Sequence, residues 1–363
     1  MKYIDEFRDP ALAGRLVAQI RQRAVRRTRL MEFCGGHTHV IFRFGLRQLL
    51  APSVELRAGP GCPVCVSATQ DIDHAIALAN IPGVILTTFG DMIRVPGSQG
   101  DLQKARASGA DVRVVYSTLD ALEIARQNPD RSVIFLGVGF ETTAPTVAAA
   151  LLQADREALP NFFIYSLHKL TPPAVHAIFR TGEVSLDGVI GPGHVSAIIG
   201  SEAWQFLPQQ YGIPCAVAGF EPLDILSAIA ALVDCIVEGR PAVVNAYGRG
   251  VRPAGNRAAQ ELMEQVFEVG PAEWRGFGVI PASGLHLRPA FAHRDAARHF
   301  VLELAPGREP AGCRCGEVLR GMIEPPECPL FQRACSPLAP VGPCMVSAEG
   351  TCAAYYRYAG EMT

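Results

Sequence analysis

The chain carries almost no excess of either charge: 33 Lys and Arg against 35 Asp and Glu leave −2 over 363 residues. Neutralising a run of phosphates needs clustered cations, so a nucleic-acid partner is not expected. Apolar runs such as VIFLGVGF are far too short to cross a bilayer. The opening MKYIDEFRDP is acidic and broken by Pro10, without the apolar centre of a secretion signal. A cytoplasmic protein with no membrane partner is expected. A second CxxC is also missing, which argues against a self-contained zinc knuckle.

What remains is globular composition, 49% apolar and 19% charged. At roughly 150 residues per domain the length suits two or three domains, each able to bury a core. Arg15, Arg21, Arg23, Arg26, Arg27 and Arg29 crowd one end. Leu12, Leu16 and Ile20 recur there at four-residue spacing, so an amphipathic helix with a solvated basic face is expected. The other reading is a docking surface for an acidic partner.

From Leu30 to about Phe220 short apolar runs alternate with Gly-rich turns and helical stretches. The runs are TRLMEF, VELRA, GVILTTF, DVRVVYS, SVIFLGV, NFFIYSL, DGVIG and PCAVAGF. This alternation predicts parallel strands with crossover helices. Eight strands divide into two groups of four, which gives an α/β fold of two similar units facing each other across a cleft. The expected domains are 30–128, 129–240 and a smaller Cys-rich domain, 241–363, completed by an N-terminal helix within 1–29. In parallel sheets ligands sit beyond the carboxyl ends of the strands. The turns CGGHTH, GPGCPVC, TFGD, GVGFETT and GPGHVS occupy those ends.

The chain holds eleven cysteines, and in a reducing compartment these suggest metal or redox chemistry rather than disulfides. Cys34 ends a strand and precedes a helix, a place that favours thiolate, so it reads as a nucleophile or soft metal ligand. The bland alternative is a buried thiol in a turn. His37 is a candidate ligand or proton donor, whereas His39 packs. Cys62 and Cys65, spaced CPVC, suit a dithiol that exchanges two electrons, or half of a metal site. GVGFETT lacks the third glycine of a dinucleotide fingerprint, which disfavours a nicotinamide dehydrogenase. Glu141, Thr142 and Thr143 are then either cleft-lining groups or a helix cap. His194 in GPGHVS is a further site candidate. Cys215 and Cys235 read as core residues. Six cysteines lie between Cys313 and Cys352. Four thiolates from that set would satisfy zinc or an iron–sulfur cubane, and the lack of paired CxxC motifs favours the cubane.

With CGGHTH, GPGCPVC, GFETTAP, GPGHVS and the Cys-rich tail in that order, nearly the whole chain resembles the HypD family of nickel–iron hydrogenase maturation proteins. The resemblance implies a [4Fe-4S] cluster on a C-x12-C-x6-C-x16-C pattern, matched by Cys315, Cys328, Cys335 and Cys352. Cys313 and Cys344 fall outside it. It further implies that an Fe(CN)2CO group is assembled at Cys34 with a HypC-type small chaperone supplying a second thiolate. A HypE-type partner delivers cyanide from a thiocyanate on its C-terminus. Combined with the residues, this suggests a relay in which the cluster recharges the Cys62/Cys65 dithiol beside the iron. Glu349, in SAEGTC, would orient the cluster or a partner. The rivals are an iron–sulfur thiol–disulfide oxidoreductase acting on a protein disulfide, with Cys34 as resolving thiol, and a zinc-stabilised scaffold without redox function.

Overall fold

A computed structural model describes residues 4–358, so the outermost ends of the expected first and last segments, 1–3 and 359–363, lie outside the described residues. Each of the eight apolar runs forms a strand: β1 (Thr28–Glu32), β2 (Val54–Ala58), β3 (Val84–Thr88), β4 (Asp111–Val114), β5 (Ser132–Gly137), β6 (Phe162–Ser166), β7 (Gly188–Pro192) and β8 (Cys215–Ala218). β3, β7 and β8 are buried at every residue. Strands covered on both faces read as continuous apolar runs rather than alternating ones, which is why these were visible.

The strands fall into two parallel sheets, one ordered β2-β1-β7-β8-β9 and one ordered β4-β3-β5-β6, where β9 is Val243–Asn245. This is the expected α/β architecture of two similar units. Its chain division differs from a cut near residue 128. The second sheet, β3 to β6, is inserted whole between β2 and β7 of the first, so 30–128 and 129–240 each hold strands of both sheets. Parallel pairing is non-local, and strands that share one apolar pattern do not announce their neighbours.

In each unit the chain leaves its first strand to one side and then returns on the other. β1 lies between β2 and β7, and β3 between β4 and β5. Adjacent connections diverge at these two points and open a crevice at the carboxyl ends of the strands.

The segment after residue 240 also departs from expectation. β9 joins the first sheet, and the helix Arg257–Val266 packs on the helix Ala144–Arg156. An antiparallel hairpin follows, β10 (Phe267–Trp274) and β11 (Gly278–Leu287). Val266, Phe267, Leu285 and Leu287 enter the core beneath β5 and β6. The Cys-rich part proper begins only near Cys313.

The N-terminal helix, Pro10–Arg23, does not complete that part. Asp9 caps it by accepting from the N–H groups of Ala11 and Leu12. Its buried Val17 and Ile20 share a core with Leu30, Leu226 and Leu232. The helix Pro222–Val237 is its main neighbour. Arginines of the N-terminal segment are occupied at home: Arg8 with Glu221, Arg23 with Asp234 and Glu238, Arg26 with Asp187, and Arg27 and Arg29 with Glu55. Intramolecular pairing thus accounts for most of the basic stretch.

The inner faces of both sheets meet in one core, with Leu86 and Ile134 from one and Val189 and Val217 from the other. The same core runs on to Cys65, Cys315, Cys344 and Cys352. Ile20→Ala is expected to cost about 2–5 kcal/mol in denaturant unfolding, whereas Leu12→Ala at the solvent edge stays within about 0.5 kcal/mol. Equal effects would contradict this docking of the helix.

Candidate functional site

The two crevices face each other and form one cleft of about 330 Å³. Every one of the five turns contributes to its wall: Cys34 after β1, Gly61 after β2, Gly90 and Asp91 after β3, Val138 to Phe140 with Thr142 and Thr143 after β5, and His194 after β7. Ser347 and Glu349 close it from the C-terminal segment, and no Lys or Arg lines it among the described residues.

Cys34 is the N-cap of the helix Gly35–Arg43. Its N–H donates to Glu32 Oε2 at 2.7 Å, and Gly35 N–H donates to Gly61 O at 3.0 Å, tying the first two turns together. The glycines serve close approach. A Cβ on Gly61 would overlap the backbone of Cys34, and one on Gly35 would overlap Glu349.

Cys34 is 9% exposed and lines the cleft. It is not predisposed to thiolate. Burial pushes it up to about 12, the carboxyls of Glu32 and Glu349 add to this, and the N–H groups of His37 and Gly36 only partly oppose it. The helix-end argument is outweighed chiefly by burial, with the two acids adding to it. Glu32 is itself pushed up by burial, to about 8, while accepting from Cys34 N–H and from Thr38 Oγ1.

His194 is exposed at the cleft and stacks on Phe220 with ring centres 3.7 Å apart. His37 stacks on the same ring at 4.9 Å but is fully buried and outside the cleft wall. Its Nε2 meets Ala218 O at 3.2 Å and burial lowers it to about 4, so it is neutral. Nδ1 has no partner among the described residues. Glu141 is likewise turned away from the cleft: it accepts from Thr171 N–H at 2.8 Å and from Thr171 Oγ1 at 2.9 Å. It pins the turn after β5 to the start of the helix Thr171–Thr181, while Thr142 and Thr143 keep the cleft positions.

Cys62 and Cys65 stand behind the wall, whose surface here is Pro63 and Val64. Cys62 Sγ accepts from Cys65 N–H at 3.3 Å, which makes Cys62 the cap of the short helix Pro63–Val66. Cys65 is fully buried, and its sulfur meets Cys62 on one side and Cys344 on the other.

Cys344 in turn contacts Cys315 and Cys352. All six late cysteines, Cys313, Cys315, Cys328, Cys335, Cys344 and Cys352, line one small chamber with Val318, Leu330, Phe331 and Met345. Its donors are sulfur alone, without acid or imidazole, and Cys335 Sγ accepts from Val341 N–H at 3.3 Å. That donor set suits an iron–sulfur cluster as well as it suits zinc. Among the described residues no three His, Cys, Asp or Glu are gathered about one point at ion-binding distance. Cys344, outside the spacing pattern, proves central in space. Sequence spacing carried no signal of this, since Cys65 and Cys344 lie far apart in the chain; Cys65 Sγ also meets the O of the neighbouring Pro343 at 3.9 Å, 278 residues away. Cys215 is buried in β8 and Cys235 half-buried in the helix Pro222–Val237, both without such neighbours.

Paired parallel-sheet units around a thiol-bearing cleft, backed by a sulfur-lined chamber, define a cysteine-centred α/β protein rather than a nucleotide-binding one. The family model described as "HypD: Hydrogenase formation hypA family" matches residues 11–359, and the chain belongs to that family. It is 52% identical to the hydrogenase maturation factor HypD of Azotobacter vinelandii, over 99% of this chain and 97% of the relative. The corresponding proteins of Rhodobacter capsulatus and Escherichia coli K12 are 47% and 45% identical, again over 99% of this chain and over 99% and 98% of theirs. No helix among the described residues is long and apolar enough to cross a membrane.

Burial raises Glu141 to about 7, so between pH 4.5 and 7 the folded state holds a proton that the unfolded state has released. This contribution to stability is full below pH 4.5 and is lost as pH rises through 7. Glu141→Gln is expected to flatten that decline in denaturant melts at pH 5 and 8. An unchanged slope would contradict the assignment.

Proposed function

We propose that this protein is a maturation factor for nickel–iron hydrogenases, on which iron acquires two cyanides and one carbon monoxide in the cleft at Cys34. The observation that carries the reading is the run of sulfur from the cleft wall through Cys62, Cys65 and Cys344 to the six-cysteine chamber.

The iron is substrate. A cleft lined by Asp91 and Glu349 and free of Lys and Arg attracts a divalent cation. Cys34, protonated when alone, ionises against a soft cation and releases its proton. A HypC-type small chaperone would supply the second thiolate. Cyanide bound to such an iron is anionic and meets the backbone N–H groups of the turns around Gly35, Gly90 and Gly139.

Freeing cyanide from the thiocyanate of a HypE-type partner takes two electrons: the carbon–sulfur bond breaks, cyanide leaves, and the partner's sulfur becomes a thiol. The Cys62/Cys65 dithiol supplies that pair by forming a disulfide and losing two protons, one of which the partner's sulfur takes up. Cys315, Cys328, Cys335 and Cys352 would hold a [4Fe-4S] cluster, which supplies single electrons when bound. Cys344 and Cys65 provide the sulfur contact between that chamber and the dithiol, and Pro63 and Val64 keep water from the dithiol.

Anaerobic purification with both partners is expected to give infrared bands of iron-bound cyanide and carbon monoxide. The Cys62→Ser, Cys65→Ser double variant is expected to keep its full iron–sulfur content and lose the cyanide bands. Normal cyanide bands in that variant would refute the dithiol's role, and their absence from the wild-type complex would refute the function.

A further inference from the structure

Three Lys or Arg side chains are buried among the described residues: Lys169, Arg275 and Arg294. Burying a cation is costly unless it is paired, so each calls for a reason. Arg294 bonds Asp155 and the carbonyls of Leu159 and Phe162, which fixes the start of β6. Lys169 donates to Glu273 O at 2.7 Å and faces Asp71 at 3.7 Å. Arg275 lies beside the sulfur.

This residue occupies the turn between β10 and β11, wedged between the two sulfur-bearing segments. Its N–H donates to Val66 O at 2.9 Å, one residue beyond Cys65, and its guanidinium donates to Ser67 O at 2.8 Å and to Pro96 O at 3.2 Å. On the other side Gly276 meets Gly316, one residue beyond Cys315, so closely that a Cβ on Gly276 would overlap the Gly316 backbone. Trp274 shares a core with Cys65, Cys315 and Cys344. The charge of Arg275 is felt at Cys313, a chamber residue.

Its countercharge is unequal. Glu309 meets the guanidinium at 3.1 Å and accepts from Thr69 Oγ1 at 2.7 Å, but its side chain is 55% exposed while that of Arg275 is 1% exposed. Asp71, also within reach of the Arg275 charge, is engaged by Lys169. Arg314, next to Cys313 and Cys315 in the chain, is matched by Glu317 at the surface. Water screens the Glu309 carboxylate and not the guanidinium, so a net positive field remains on the buried side, toward the sulfur.

We propose that Arg275 is the positioning residue that sets the reduction potential of the chamber's iron–sulfur cluster, its buried charge favouring the reduced state and Glu309 acting as a partial counterweight. This rests on the cluster of the maturation reading above. An electron entering the chamber adds one negative charge and forms no bond, and a fixed cation beside a dry site stabilises that charge. The same side chain joins the dithiol turn to the Cys-rich segment through Ser67 and Glu309, so its field acts where the two sulfur sites adjoin. Two substitutions separate the field from the clamp. Arg275→Gln and Glu309→Gln break one ion pair but change the charge in opposite senses, and a clamp alone would answer both alike.

The test uses the full chain purified anaerobically, with iron and acid-labile sulfide counted and the midpoint potential read by dithionite titration followed in electron paramagnetic resonance. Arg275→Gln is expected to make reduction about tenfold less favourable, a midpoint about 59 mV more negative. Glu309→Gln is expected to move it several-fold the other way. Arg275→Lys, which keeps the charge and loses the planar fork, is expected to recover most of the loss. An unmoved midpoint in Arg275→Gln at full iron content overturns the proposal. So do shifts of like sign in the two Gln variants. If Arg275→Gln loses its cluster, Glu309→Gln decides: a more positive midpoint supports the proposal, and an unchanged or more negative one overturns it. A wild-type protein without a reducible cluster overturns the cluster reading and this assignment together, whereas a normal cluster with the wild-type midpoint in every variant counts against Arg275 alone.

Discussion

The contact on which the arrangement depends is between the sulfurs of Cys65 and Cys344. Cys65 is sealed from solvent, one residue behind the cleft wall, and its sulfur meets that of Cys344. Without that contact the molecule would hold a cleft with one thiol and, elsewhere, a separate sulfur-lined chamber. With it, sulfur is continuous from Cys62 to Cys352 inside a dry core. The fold makes the contact by placing the turn after β2, which carries Cys62 and Cys65, against the segment Pro343–Met345. Glycines permit the approach: a Cβ on Gly350 would overlap the backbone of Cys344.

The doubled topology explains which turns gather. Either unit alone would present one crevice, where the connections of its central strand part. Inserting one unit between β2 and β7 of the other sets β1 and β7 opposite β3 and β5, so that both crevices open into the same space. The turns there supply carboxylates, one thiol and backbone N–H groups but no cation. Such a lining favours a metal cation over a phosphate, because a phosphate would meet Asp91 and Glu349 with nothing to neutralise it. The incomplete glycine fingerprint at GVGFETT and the acidic cleft therefore exclude the same ligand for two independent reasons.

Much of this was legible because buried parallel strands advertise themselves as apolar runs and their following turns as glycine clusters. All eight runs became strands, and all five turns reached the cleft. What was not legible depends on long-range partners. The membership of β3 and β4 in the sheet of β5 and β6, and of β9 in the other, follows from pairing that no local pattern encodes. The hairpin was hidden because MEQVFEVG continues a helical sequence into β10, whose alternating burial from Phe267 to Trp274 is intelligible only once β11 is beside it. Likewise, Glu141 and His37 belong to chemistry-bearing motifs, yet each is turned inward to a structural bond.

Cys34 shows why an electrostatic reading of one helix end was insufficient. The dipole of a nine-residue helix acts on it, but burial of the sulfur opposes ionisation more strongly, and Glu32 and Glu349, the latter packed against Gly35, add to that. The sum keeps the proton on sulfur. A thiolate standing free in an acidic cleft would be an indiscriminate nucleophile and an oxidation target. On the proposed function, a thiol that ionises only against a soft metal would couple its reactivity to the arrival of iron. Glu349 both raises the thiol and lines the cleft, whereas Glu32 lies outside the cleft wall and Asp91 is the other carboxyl that lines it. The nearby Gly35 and Gly61 fix its geometry by leaving no room for a side chain between the three segments that meet there.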